Sequence, residues 1–158
     1  MIGENDLNKL SAPTPKNEIK FRVGRTFEYD NKKFAMMLKY IDARYVQDTL
    51  DKIIGIGNWS NEYLEIKGNL FCKITIYFFK EDGSIGSISK MDCGVESNVE
   101  KEKGEASDSF KRCAVHFGIA RDLYVPEKNQ WDMVAEFEKD IKGNYKKNIA
   151  KNWKPKNF

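Results

Sequence analysis

The chain has little of what enzymes and secreted proteins rely on. It has one histidine, His116, and three cysteines, Cys72, Cys93 and Cys113, far apart in sequence. An odd cysteine count without CxxC spacing argues against a disulfide framework or a zinc site, and fits small core residues. One histidine leaves little for metal ligation or His-based catalysis. No DxD, HExxH, GxSxG, Walker A or GxGxxG pattern stands in its required context. Gly55-Ile56-Gly57 lacks the third glycine and follows a predicted helix, not a strand. Ser107-Asp108 beside Lys111 does not have the spacing of a Ser/Lys dyad. Long apolar runs are also missing. The longest, Leu70 to Phe79, is too short and interrupted to span a bilayer. The start, Met1 to Asp6, is acidic and polar, unlike a signal peptide. These absences predict a cytoplasmic protein with no membrane partner, no cofactor, no metal and no catalytic residue.

What is present suits one domain: 158 residues, 41% hydrophobic, 13% aromatic and 32% charged. The net charge of +3 is unevenly spread, since six lysines and no acid follow Asp140. Without that tail, 21 basic residues face 24 acidic ones. Nucleic-acid binding would therefore need a local stripe of cations, not overall charge.

Residues 1–17 read as a polar N-terminal arm, with Leu7 and Leu10 able to form one helical turn before Pro13 and Pro15 break it. Ile19 to Arg25 alternates as a half-buried strand. Arg22 and Arg25 have no nearby acid except Glu18, which leaves them between a phosphate-binding role and ordinary surface arginines. Asp30 to Lys33 is a predicted turn and Phe34 to Ile41 a predicted strand. Lys32, Lys33 and Lys39 add positive charge here, although such lysines usually serve solubility. Asp42 is a plausible N-cap for a helix from Ala43 to about Ile54, ended by Gly55 and Gly57. Arg44 gains nothing from the helix dipole in that first turn, which points to a phosphate or Asp48 as its partner.

Trp59 to Ile66, Leu70 to Lys80 and Ser84 to Cys93 read as three consecutive strands with tight connections. The central one carries apolar residues on both faces, so at least partial cover is expected on both sides, from helices 43–54 and 101–117. Trp59 is expected in the core. Residues 94–103 link the sheet to the next helix, with a start between Asn98 and Glu102 and Ser97 or Asn98 as cap. Trp131 to about Lys142 has helical spacing at Trp131, Val134, Ala135, Phe137 and Ile141. The Lys-Asn tail, residues 143–158, is expected to be basic and flexible, with Trp153 and Phe158 suited to strand capture or to partner docking.

The chain is organised around Lys101 to Tyr124. As a helix, it puts Ala106, Phe110, Cys113, Ala114 and Phe117 on one narrow stripe, with small residues that allow close approach to a sheet. Gly118 stands where a left-handed C-cap would sit. Lys103, Ser107 and Lys111 form a ridge on one flank, and Arg112 is expected on the far side from the stripe.

The run KGEASDSFKRCAVHFGIARDLY resembles the central signature of the Rad52/Rad22 single-strand annealing proteins, especially the short versions carried by bacteriophages. It is carried by Asp108-Ser109-Phe110-Lys111-Arg112 and Phe117-Gly118, with a second block at Tyr40 to Val46 and Gly57-Asn58-Trp59. The resemblance covers roughly residues 16 to 125. It implies an α+β fold: a three-stranded antiparallel sheet with a long helix packed across it, a Rad52-like β-β-β-α core flanked by short helices. The annealing domain would be 18–142. It further implies homo-oligomeric rings or helical filaments that bind single-stranded DNA in a basic groove and anneal complementary strands in recombination and repair. The family's Lys-Arg pair corresponds to Lys111 and Arg112, and an upstream lysine to Lys103, with Lys101 beside it. An arginine before the first core strand would be Arg22 or Arg25, and Arg44 matches a position in the first helix. Lys39 completes the candidate DNA-binding set. Where many members carry another basic residue, this chain has Val115, next to His116. A single-strand binding protein or an exonuclease are candidate further partners, and a phage-encoded chain would act in the host cytoplasm. The alternative is an oligomeric protein-interaction module without nucleic-acid binding. A nuclease is a third, less favoured reading.

Overall fold

A computed structural model describes residues 2–95, 101–146, 149, 153–155 and 158, with Lys101 and Glu102 as backbone only. The expected helix start and the cap at Ser97 or Asn98 lie outside the described residues, as do Lys147, Lys151 and Lys156 of the tail. In chain order the elements are β1 (Lys20–Tyr29), β2 (Lys32–Tyr40), α1 (Ala43–Ile53), β3 (Trp59–Ile66), β4 (Asn69–Phe79), β5 (Ile85–Cys93), α2 (Lys101–Val115) and β6 (Val134–Glu136). The class is mixed α+β with two three-stranded antiparallel sheets, β3-β4-β5 and β1-β2-β6. The chain divides into two compact units, one of Met1–Thr14 with Ile41–Asp122, the other of Pro15–Tyr40 with Leu123–Phe158.

The first unit is built on β4. Cys72, Ile74 and Ile76 are completely buried and Phe78 nearly so, all on one side of the strand. Burying each large aliphatic side chain is worth about 1.5–3 kcal/mol. α2 packs over β4 and β5 on that side, and Phe110, Cys113 and Ala114 of the expected stripe are buried. α1 packs against α2 through its buried Val46 and Leu50 side. Trp59 belongs to this interior as expected: its Nε1–H donates to Asp51 Oδ1 at 2.7 Å, and its ring lies 6.2 Å from Phe110. Asp42 holds the N-cap position of α1 in extended geometry, without a side-chain cap hydrogen bond.

The second face of β4 is only partly buried within this unit, with Phe71, Lys73 and Thr75 half-buried, and neither helix supplies that cover. Both helices lie on the Cys72 side, and Tyr77, Phe79, Ile85 and Met91 on the other face are 39, 42, 62 and 41% exposed. Alternation showed which residues share a face, but not where each helix would dock. The lead-in also packs in this unit. Glu4–Ser11 is a 3-10 helix with Leu10 buried, and the buried Thr14 donates from N and Oγ1 to the Asp122 carboxylate at 3.0 and 2.6 Å.

Small residues make the helix–sheet contact possible. A Cβ on Gly94 would stand 2.3 Å from the Glu105 carbonyl oxygen and 2.8 Å from the Ser109 nitrogen. Ser109 is fully buried with its hydroxyl donating to the Ala106 carbonyl, and Cys113 Sγ donates to the Lys90 carbonyl at 3.0 Å. Its hydrogen bond to Cys113, together with burial, holds the Cys72 thiol well above the ordinary range, so it stays protonated and inert. Gly118 has φ 101° as expected, and Ile119 N–H closes back on the Ala114 carbonyl around it.

In the second unit, β1 and β2 form a hairpin. Asp30 and Asn31 have φ 48° and 57°, the left-handed pair of a two-residue type I′ turn. β6 adds to β2 with Ala35 opposite Ala135 and Met36 opposite Val134. Ala35, Met37, Met133, Ala135 and Phe137 form the core, with Phe21, Tyr145, Ile149 and Trp153 packed against it. The expected helix from Trp131 to Lys142 does not form. Gln130–Met133 is a 3-10 turn followed by β6. Met133, Ala135 and Phe137 carry a period of two, and it prevails because β2 offers a pairing edge; Ile141, which the helix would bury, is fully exposed.

The tightest of these contacts predicts a stability difference. Gly94→Ala should cost about 1–3 kcal/mol through overpacking. Gly57→Ala, whose Cβ meets nothing within 4 Å, should stay within about 0.5 kcal/mol. Urea midpoints at constant slope measure both.

Candidate nucleic-acid interface

Strict alternation would put Arg22 and Arg25 on opposite faces of β1. They share one because the register shifts between Val23 and Arg25. Before the shift Arg22 pairs with Leu38; after it Arg25 pairs with Met36, Phe27 with Phe34 and Tyr29 with Lys32. Leu38, Met36, Phe34 and Lys32 alternate along β2, so all of these side chains project from the same side. Gly24 sits in the bulge because a Cβ there would be 2.7 Å from Leu38 Cγ. Both arginines are exposed, and neither is paired with a carboxylate among the described residues. Arg22 and Arg25, the two candidates for one position, therefore lie together on one exposed face.

Lys39 falls on the other side of this sheet, opposite Phe21 and in register with Met37 and Ala35. It is ion-paired with Glu127 and its side chain is only 20% exposed. Its expected availability to DNA is corrected accordingly: strand parity turns it toward the core side, where an acid neutralises it.

In the first unit α2 carries a polar ridge on each flank. Lys103, exposed, and Lys111, half-buried, occupy one. Asp108, Arg112 and His116 form the other, at i, i+4 and i+8, and run along β5. Asp108 Oδ2 accepts the Val95 N–H at 3.0 Å. Arg112 Nε lies 3.7 Å from Asp92 Oδ2, and His116 Nε2 lies 3.2 Å from the same oxygen. Arg112 is therefore not on the far side of the helix as expected. Among the described residues its Nε is buried without a hydrogen-bond partner, although 40% of the side chain reaches solvent. The correction follows from docking: a helix laid along β5 brings its flank within reach of helix-facing strand residues such as Asp92.

Arg44 is exposed in the first turn of α1 and makes no ion pair with Asp48 among the described residues. The side chain of Lys101 lies outside the described residues. Among the described residues no cluster of three His, Cys, Asp or Glu could hold a metal ion, and no helix is long and apolar enough to cross a membrane.

Two cations that spacing did not single out cap α2. Arg121 donates from Nε and Nη2 to the Val115 carbonyl at 3.1 and 2.9 Å, and Lys90 Nζ donates to the His116 carbonyl at 2.7 Å. Positive charge on the last carbonyls complements the helix dipole. The acids of the signature are structural too: Glu105 Oε1 accepts the Leu70 N–H at 3.0 Å, tying helix to strand. Their sequence signal was carboxylates placed beside small packing residues.

The first unit thus carries a sheet-backed helix with lysines on one flank, and the second a hairpin with two exposed arginines on one face. The chain matches the model of the Rad52/22 family double-strand break repair protein over residues 4–142, and it belongs to that family. It is similar to the single-stranded DNA-binding protein DdrA of Deinococcus deserti, 35% identical over 125 residues, covering 78% of this chain and 58% of the relative. DdrA of Deinococcus radiodurans is 33% identical over 125 residues, covering 78% and 56%. The chain spans a little over half the length of these curated relatives.

The acids give a test independent of any ligand. Glu105→Ala should lower stability by about 1.5–3 kcal/mol, since it leaves a half-buried N–H without its charged acceptor. Glu105→Gln, which keeps an acceptor oxygen, should recover part of that loss in the same denaturation measurement.

Proposed function

We propose that this chain binds single-stranded DNA through the phosphate backbone and anneals complementary strands in homologous recombination and repair. The observation that carries this is the pair Arg22 and Arg25 on one exposed strand face, in a member of the Rad52/22 family. Each phosphate contact releases condensed counterions and carries no sequence information. Such a grip leaves bases free to meet a second strand, and the positive charge screens repulsion between the two backbones. No catalytic residue is required, and the chain acts as a non-enzyme.

The proposed contacts are Arg22, Arg25, Arg44, Lys101, Lys103 and Lys111. Arg112 adds the part of its guanidinium that faces solvent, its other edge being turned to Asp92. Lys39 is set aside because Glu127 holds its charge. In this reading β3, β4, β5 and α2 are the Rad52-like β-β-β-α core, the annealing domain spans 18–142, and arm 1–17 and basic tail 143–158 flank it. The apolar open face of β3–β5 and the outer edges of β3 and β5 support side-by-side assembly of copies into a ring or filament. The protein works in the cytoplasm, with a single-strand binding protein or an exonuclease as candidate partners. That same open face favours the second reading, an interaction module that binds no nucleic acid; a gel shift at low and high salt separates the two.

Fluorescent-oligonucleotide annealing and binding across a salt series test the proposal. Arg22→Ala with Arg25→Ala should weaken binding and reduce the log–log salt slope by about 1.4, two contacts at about 0.7 each on single strands. Lys111→Ala with Arg112→Ala should behave similarly while the protein stays folded. Unchanged annealing and slope in both double variants would remove the site.

A further inference from the structure

The arginine face of the hairpin does not end in a flat surface. Beside Arg25 lies a groove of about 410 Å³, lined by Arg25, Phe27, Met36, Gln130, Trp131 and Val134 among others. That size falls at the small end of ligand sites, roughly 300–1,000 Å³. Trp131 forms one wall and is 58% exposed, an unusual state for the largest apolar side chain. Its contacts with Phe27 and Tyr29 are edge-on, with ring centroids 6.3 and 6.2 Å apart and interplanar angles of 70° and 63°. Phe27 is itself stacked on Phe34 at 5.6 Å, which braces the floor. The Asn129 side chain accepts the Trp131 N–H at 3.1 Å and fixes the turn that carries the indole.

We propose that this groove seats a single unstacked base of single-stranded DNA, against Trp131 and Phe27, while Arg25 and Arg22 hold the adjoining phosphates. The proposal rests on the single-strand-binding function above and deepens it. The occupant is argued from chemistry: an aromatic, apolar slot beside two exposed guanidiniums that have no carboxylate partner among the described residues matches a ligand with a flat π face next to an anion. A nucleotide within a chain has both, and every base offers a π face, so the seat works without sequence preference. Gln130 adds one amide that can donate or accept at a base edge. One seated base per protomer would interrupt the stacked row at a set point and define which bases remain outward for pairing.

The test compares a thymidine oligonucleotide with an abasic oligonucleotide of equal length, measured by anisotropy on the full chain. Wild-type protein should prefer the strand that has bases. Trp131→Ala should lose about tenfold in affinity for the thymidine strand, the order of one base–aromatic stack, with abasic binding and salt slope unchanged. Trp131→Phe should restore most of the loss, and Arg25→Ala should weaken both strands. Equal affinities of wild type and Trp131→Ala for the thymidine strand, or equal losses on both strands, would overturn the seat while leaving backbone binding and annealing intact. Displacement of the thymidine strand by no competitor except an aromatic peptide would reassign the groove to a protein partner and overturn the seat. Failure of wild-type protein to bind either strand would overturn the seat and the single-strand-binding function together.

Discussion

Everything in the first unit depends on how closely α2 can approach the sheet. Gly94 leaves no room for a Cβ against the helix backbone, and Ser109, Cys113 and Ala114 keep the helix face low. This closeness lets Glu105 accept the Leu70 N–H of β4, lets Asp108 accept the Val95 N–H just past β5, and lets Cys113 reach the Lys90 carbonyl. Interiors pack at crystal-like density, so a single methyl in this seam must displace backbone, not a flexible side chain. A helix held this closely fixes the positions from which its flanking cations project.

The second unit depends on a different local device. The bulge at Gly24 converts alternating arginines into a same-side pair and lines them up with Phe27 and Tyr29. Glu127 pairs with Lys39 on the core side and Glu136 with Lys32 at the turn end of the arginine face, while Arg22 and Arg25 are left exposed. Positive charge is therefore local, as the near balance of acids and bases outside the tail requires.

Charge on the signature helix divides between structure and exposure. Asp108 and Glu105 are consumed in holding strand ends, and Arg112 shares its charge with Asp92 beside His116. Arg121 and Lys90 satisfy carbonyls that α2 would otherwise leave unpaired. Val115 contributes its carbonyl to Arg121 and no side-chain charge.

Local structure was legible in the order of residues alone. Hydrophobic period marked α1, α2 and strands β1 to β5, turn residues marked Asp30-Asn31 and Lys67-Gly68, and Gly118 marked the helix end. All of these depend on interactions within a few residues. Folding in three dimensions was needed to put both helices on one face of β4, turn Arg112 to Asp92, bring Lys39 to Glu127 and join residues 134–136 to β2 as a strand. Each of those outcomes turns on a partner distant in the chain, and periodicity cannot specify a partner. Arg22 and Arg25 fall between the two cases: their charge was plain in the sequence, while their common face needed a one-residue register shift that only the paired strand reveals.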